Sequence, residues 1–303
     1  MGIASDFTSA LQSAERALQV RIKVFGEDHA STADSYHLLG VTQHSLGDFT
    51  SALQSHQRAL DVRINVFGED HASTADSYNS MGVAQYSLGD FTSALQSAER
   101  ALLVQIKVFG KDHASTADSY DSLRVTQPIV SHSLGDFTSA LQSAKRALQV
   151  RIKVLGEDHA NTADSYDSLG VTQHSLGDFT SALQSHQRAL DVWINVFGED
   201  HASTADSYDS LRVTQHSLGD FSSALQSKQR SLDIRMKVLG KDHASTANSY
   251  DLLGVTQHLL GDFTSALQSK HRALDVFIKL SGEDHARTAD IYHDSNSGSH
   301  STG

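Results

Sequence analysis

Cysteine is absent from this 303-residue chain, and proline and tryptophan occur once each, at Pro128 and Trp193. Without thiols there is no disulfide framework and no thiolate metal site, which fits a reducing compartment and makes the cytoplasm the expected location. With a single proline, helices can run unbroken almost everywhere. Basic residues are also scarce: 24 Lys and Arg stand against 36 Asp and Glu, for a net charge of −12. They are scattered, whereas phosphate binding needs them clustered, so nucleic acid is excluded as an expected partner and basic or neutral partners are favoured. No apolar run approaches the ~18 residues of a membrane span, and the stretch from Met1 to Asp6 lacks the charged and apolar regions of a signal peptide. No membrane association is expected.

What the chain has is repetition. Seven Asp-His pairs begin at Asp28, Asp70, Asp112, Asp158, Asp200, Asp242 and Asp284, 42 residues apart with one step of 46. The extra four residues are an insertion, Pro128 to Ser131. The stretch from Gly40 to Val62 recurs unchanged from Gly170 to Val192. A fixed period of this size means a solenoid, in which units that cannot bury their apolar faces alone stack on their neighbours.

Each unit reads as two helices. Ser73 opens the pattern Ser-Thr-Ala-Asp, a capping box in which the Ser73 hydroxyl and Asp76 satisfy the first backbone amides of a helix, here called A. The box recurs at Ser31, Ser115, Ser203 and Ser245. Helix A should end near Gly47, where glycine tolerates the left-handed cap. Asp48 is then a second N-cap, and Phe49, Ala52, Leu53, His56, Ala59, Leu60, Ile64 and Phe67 follow at three- and four-residue spacing. That is an amphipathic helix B, closed by Gly68. The expected fold is all-α, an α-solenoid of about six antiparallel helix pairs. Arg124 and Arg212 stand where Gly40, Gly82, Gly170 and Gly254 stand in other copies, so those two units are expected to be overpacked, and the Pro128 insertion marks the expected kink.

Leu39-Gly40 in helix A, Gly47 at the turn, and Ala52 and Ala59-Leu60 in helix B resemble the large and small positions of a tetratricopeptide repeat (TPR). The 42-residue length and the run Ala-Leu-Asp-Val-Arg-Ile-Asn-Val-Phe-Gly-Glu-Asp-His from Ala59 to His71 resemble the variety found in kinesin light chains and nephrocystin-3-like proteins. The resemblance covers Asp6 to Tyr292 and implies a right-handed superhelix with residues 1–5 as an extension, 6–292 as the array and 293–303 as a disordered Ser/Gly/His-rich tail. Those relatives carry proline after the Asp-His pair, where every copy here has alanine.

The resemblance also implies that helix A lines a concave groove for extended peptides. Mapped onto this sequence, the groove-facing stripe takes Asp76, Asn79, Val83 and Tyr86, then Asp118 and Asp121, then Asp164, Asp167, Val171 and His174, then Asp206, Asp209, Val213 and His216, and finally Asp251 and His258. The groove should be acidic with a histidine rim, and a basic peptide would relieve the repulsion along Asp121, Asp167, Asp209 and Asp251. The alternative is that these aspartates are solvated residues favoured by the helix dipole. Asp167 and His174 are two helical turns apart, about 10 Å, too far to share a metal ion. The Asp-His pairs have no nucleophile at a fixed place beside them and read as turn residues. Trp193, where other copies have arginine, reads as local packing.

No phosphate-binding loop, His-Glu-x-x-His or Gly-x-Ser-x-Gly motif is found, so no catalytic residue, metal or cofactor is expected. The expected function is a non-catalytic scaffold for protein or peptide ligands. The alternatives are a sensor or effector array cut from a larger ATPase- or protease-linked protein, or a kinesin light chain-like cargo adaptor. Because Leu11, Leu18, Ile22 and Phe25 lie on an opening helix B with no helix A before it, weak end-to-end self-association is also expected.

Overall fold

A computed structural model of the chain describes residues 2–131 and 134–281, with side chains described for 9–127 and 137–280. Among these residues there are thirteen helices and no strand. They are α1 (Gly2–Phe25), α2 (Ala30–Ser45), α3 (Phe49–Phe67), α4 (Ala72–Ser87), α5 (Phe91–Phe109), α6 (Ala114–Ser131), α7 (Leu134–Leu155), α8 (Ala160–Ser175), α9 (Phe179–Phe197), α10 (Ala202–Ser217), α11 (Phe221–Leu239), α12 (Ala244–Leu259) and α13 (Phe263–Ser281). Even-numbered helices are the A helices, odd-numbered ones the B helices.

The chain divides into two compact units, residues 1–154 and 155–303. In the first, α1 to α6 pack each against the next, and α2, α4 and α6 touch in succession; in the second, α8 to α13 do the same and α8 touches α10. Close approach is set by alanine. Ala33, Ala75, Ala117, Ala163, Ala205 and Ala247 of the A helices, and Ala52, Ala59, Ala94, Ala101, Ala182 and Ala189 of the B helices, are fully buried. Around them sit larger side chains such as Leu39, Leu60, Leu190, Val192 and Leu232, each contributing about 1.5–3 kcal/mol of apolar burial.

The B helices begin and end where the sequence signals place them. Asp48 accepts from the Ser51 amide at 3.1 Å, and Gly68 closes the helix at φ +88°. The A helices start one residue earlier than expected, and their cap is not the serine. His71 is the N-cap, its Nδ1 accepting from the Ser73 amide at 3.2 Å, and His29, His113, His159, His201 and His243 do the same in their copies. Phe67 stacks on the His71 ring at 4.4 Å, and the buried Thr74 hydroxyl donates to the Gly68 carbonyl at 2.8 Å. Ala72 and its equivalents occupy the first helical position, and this histidine and threonine pair fixes the turn that proline would otherwise stiffen.

Two further expectations change. Helix α1 already includes residues 2–5, because nothing after Gly2 breaks a helix. Its apolar stripe is not left open: Leu11, Leu18 and Ile22 pack with Ala14 against Leu39 and Tyr36 of α2, and Leu18 is buried. Only Phe25 of the four expected residues is mostly exposed, alongside Val20 and Val24. Helix α6 includes Pro128 to Ser131. The partial helix expected at 288–292 and the tail at 293–303 lie outside the described residues.

Candidate binding face of the A helices

The face offered by the A helices carries one exposed valine per copy. Val41, Val83 and Val125 in the first unit, and Val171, Val213 and Val255 in the second, are between 37% and 50% exposed.

The aspartates beside these valines are tied down from beneath. Asp34 pairs with Arg63 of α3 at 3.0 Å, Asp118 with Arg151 of α7 at 2.8 Å, and Asp206 with Arg235 of α11 at 2.6 Å. One turn on, Asp121 meets the other end of Arg151 at 2.6 Å, Asp167 meets His186 at 2.9 Å, Asp209 meets Lys228 at 2.7 Å and Arg235 at 2.5 Å, and Asp251 lies 3.7 Å from Lys270. In place of arginine, α5 offers Gln105, which donates to Asp76 at 3.3 Å. The acidic ladder expected from the sequence is thus engaged inside the fold, each rung by a guanidinium, ammonium, imidazole or amide group of the following B helix. Burial pushes the Asp121 carboxyl up in spite of Arg151 and Arg124. At Asp209 burial acts in the same direction but Lys228 and Arg235 prevail, holding it below the usual carboxylate range.

The buried arginine was the residue the sequence undervalued. Arg63 is 6% exposed and holds three helices: besides Asp34 of α2, it donates to the Ser73 carbonyl at 3.0 Å and the Ser77 hydroxyl at 2.8 Å, both on α4. Arg235 does the same between Asp206 and Asp209 of α10 and Ser249 of α12. The available signal was arginine at one helix B position, in Arg21, Arg63, Arg151 and Arg235, each following an A helix aspartate or preceding an A helix serine. Trp193 and Phe277 fill that position in α9 and α13 and are buried against Ala189 and Ala273.

The histidine rim is also committed. His44 Nε2 bonds the Ser87 hydroxyl of the next A helix at 2.9 Å, and His174 bonds Ser217 at 2.8 Å. His216 and His258 pack edge-on against Phe221 and Phe263 at 5.1 Å, as Tyr86 does against Phe91 at 5.3 Å. Asn79 donates to Ser119 of α6 at 3.3 Å. The linker aspartates serve the opposite side: Asp70, Asp112, Asp200 and Asp242 pair with Lys107, Lys153, Lys237 and Lys279 of the following B helix. Among the described residues no group of three or more His, Asp or Glu side chains is placed to hold a metal ion, and no helix is long and apolar enough to cross a membrane.

The tetratricopeptide repeat family model matches the sequence over residues 3–65, 44–102, 129–192, 175–237 and 213–277. The chain belongs to the tetratricopeptide repeat family. Residues 103–128 of this TPR chain, including Arg124, fall outside every matched segment. No curated protein sequence matches it significantly. Solved structures do. BtubC (BKLC) from P. vanneervenii is 21% identical over 79% of this chain and 93% of that one, with a TM-score of 0.65. The nearly identical TPR-like repeats assigned to a kinesin light chain of Podosopora anserina are 18% identical over 69% and 97%, at 0.59. The apo form of RapI is 17% identical over 88% and 97%, at 0.61. At these identities the likeness is one of fold.

Proposed function

We propose that this TPR protein is a non-catalytic scaffold that holds extended polypeptide segments against its A helices. The observation that carries this reading is the ladder of exposed valines, one per copy, set among aspartates already engaged by the following B helices. Such a face offers apolar contact at a regular interval with polar groups around each contact, which suits a peptide of alternating character. The preference for basic or neutral partners rests on the net charge of −12, a long-range field that raises association rates for cations. Within the family we place the chain with the 42-residue kinesin light chain and nephrocystin-3-like variety, on the Ala59–His71 run, and its work in the cytoplasm, which a chain without cysteine suits. A cargo-adaptor role has support only in a shared fold.

The test is binding of a peptide library, read by fluorescence anisotropy, to the native chain and to a variant with Val41, Val83 and Val125 all changed to serine. Those side chains are solvent-facing, so the helical content should persist while affinity drops by about tenfold or more, given the apolar area removed. Equal affinity in the two proteins would move the binding surface elsewhere.

A further inference from the structure

One A/B interface is underfilled. In most copies a large side chain of helix B lies beneath the helix A glycine: an added Cβ on Gly40 would come within 2.6 Å of His56, on Gly170 within 2.5 Å of His186, and on Gly254 within 3.0 Å of Lys270. The tip of that side chain then meets the A helix residue three positions before the glycine, as His186 meets Asp167 at 2.9 Å and Lys270 meets Asp251 at 3.7 Å. In the second copy the helix B residue is Ala98 and the glycine is Gly82, whose added Cβ would have only ordinary contacts, 3.4 Å and beyond. Both partners are small. The space they leave is a cleft of about 370 Å³ between α4 and α6, floored by Gly82, Ala94 and Ala98 and walled by Val83, Tyr86 and Val125. Clefts of ~300–1,000 Å³ are of ligand size.

The residue that would receive the missing side chain's tip is Asn79. It lines the cleft, and its Oδ1 is buried with no hydrogen-bond partner, an acceptor that an incoming donor would satisfy. Two features select among donors. Asn79 is neutral where Asp209 and Asp251 face lysines; the one carboxylate in the cleft lining, Asp121, is already held by Arg151 at 2.6 Å with Arg124 beside it, so an incoming ammonium finds that countercharge taken and meets a second cation. A neutral ring with an N–H suits the site, and imidazole is the group that fills the equivalent space under Gly40 and Gly170.

We propose that this cleft anchors the bound polypeptide by taking one of its histidine side chains, the imidazole entering between Gly82 and Ala98 and donating to Asn79. The proposal rests on the peptide-binding reading above but is tested without a peptide. The probe is 4-methylimidazole, the histidine side chain as a free molecule, titrated at neutral pH or above into the full chain and followed by backbone amide NMR. Saturable shifts confined to α4, α5 and α6 are expected. Ala98→His, which rebuilds the Gly40 and His56 arrangement, should abolish them, and a melting curve establishes that this variant is folded. Should it not fold, Asn79→Leu serves instead, and should weaken the probe by about tenfold, the worth of one buried hydrogen bond. Toluene, of similar size but without a donor, should bind the native chain weaker by a similar factor. No saturable shift, an Ala98→His variant that binds as well, or toluene binding as tightly as 4-methylimidazole would each overturn the proposal. Val83 and Val125 wall this cleft but Val41 does not, so peptide binding to a Val41→Ser variant tests the valine ladder separately from the cleft.

Discussion

Glycine at the helix A position is needed only where helix B presses close against it. Gly40 and Gly170 face imidazoles, Gly254 faces Lys270, and Gly82 faces Ala98 without needing to be glycine. Where arginine replaces glycine the outcome again depends on the partner. Arg124 has Ala144 at the corresponding place in α7, a small residue that is fully buried, whereas Arg212 has Lys228, also fully buried, so two long cations share one interface. Arg212→Gly should therefore stabilise α10 and α11 by about 1 kcal/mol, relief of overpacking outweighing the ~0.5–1 kcal/mol cost of a mid-helix glycine. Arg124→Gly should do the reverse by a similar amount, since it empties space and removes the ion pair with Asp121. Amide hydrogen exchange of the two helix pairs reads both, and equal signs would overturn the pairing argument. A pH effect sits at the same interface. Burial, with His37, His44 and Arg63 nearby, pushes the His56 imidazole down to about 4. The unfolded chain binds that proton near pH 6.5 and the folded chain does not, so the stabilisation is complete above pH 6.5 and lost as pH falls toward 4, at about 1.4 kcal/mol per unit. His37→Asp would give His56 the carboxylate that His186 has in Asp167. The acid loss in α2 and α3, measured by hydrogen exchange at pH 7 and pH 4.5, should shrink.

Helices are legible to the extent that their signals are local. Asp48, Gly47 and Gly68 fix α3 at Phe49–Phe67 from within a few residues, and the same triplet works in α5, α9 and α11. The A helices misled by one residue because Ser-Thr-Ala-Asp is a good capping box on paper, while His71, two residues before Ser73, presents its Nδ1 to the same amide and is held there by Phe67. The predicted consequence is measurable. His71→Ala should destabilise α4 by about 0.5–2 kcal/mol, the usual worth of an N-cap, whereas Ser73→Ala should stay within about 0.5 kcal/mol because no cap depends on that hydroxyl. A larger loss from the serine would restore the capping box. The candidate face was legible only in part for the same reason. Val83, Val171 and Val213 come from the groove-facing stripe that the family resemblance implies. That Asp34 is held by Arg63, 29 residues later, or Asp167 by His186, 19 residues later, depends on the rotation of one helix against another. Periodicity within a helix carries no information about that.

At the scale of the molecule, contacts run between consecutive helices and between successive A helices within each unit, so stability is close to a sum of unit and neighbour terms, without one shared core. A lesion should then stay local. Arg63 is the sharpest probe, because one buried guanidinium ties α2, α3 and α4 together through Asp34, Ser73 and Ser77. Its removal leaves Asp34 largely in water, as it already is, with 63% of its side chain exposed. The cost of Arg63→Ala is thus lost packing and two or three hydrogen bonds rather than a stranded charge, about 2–3 kcal/mol. Hydrogen exchange should show protection falling in α2, α3 and α4, while α10 to α13, which share no contact with Arg63, keep theirs to within about 0.5 kcal/mol. An equal loss of protection in α10 to α13 would mean that the chain unfolds as one cooperative body, and the nearest-neighbour account of this array would have to be abandoned.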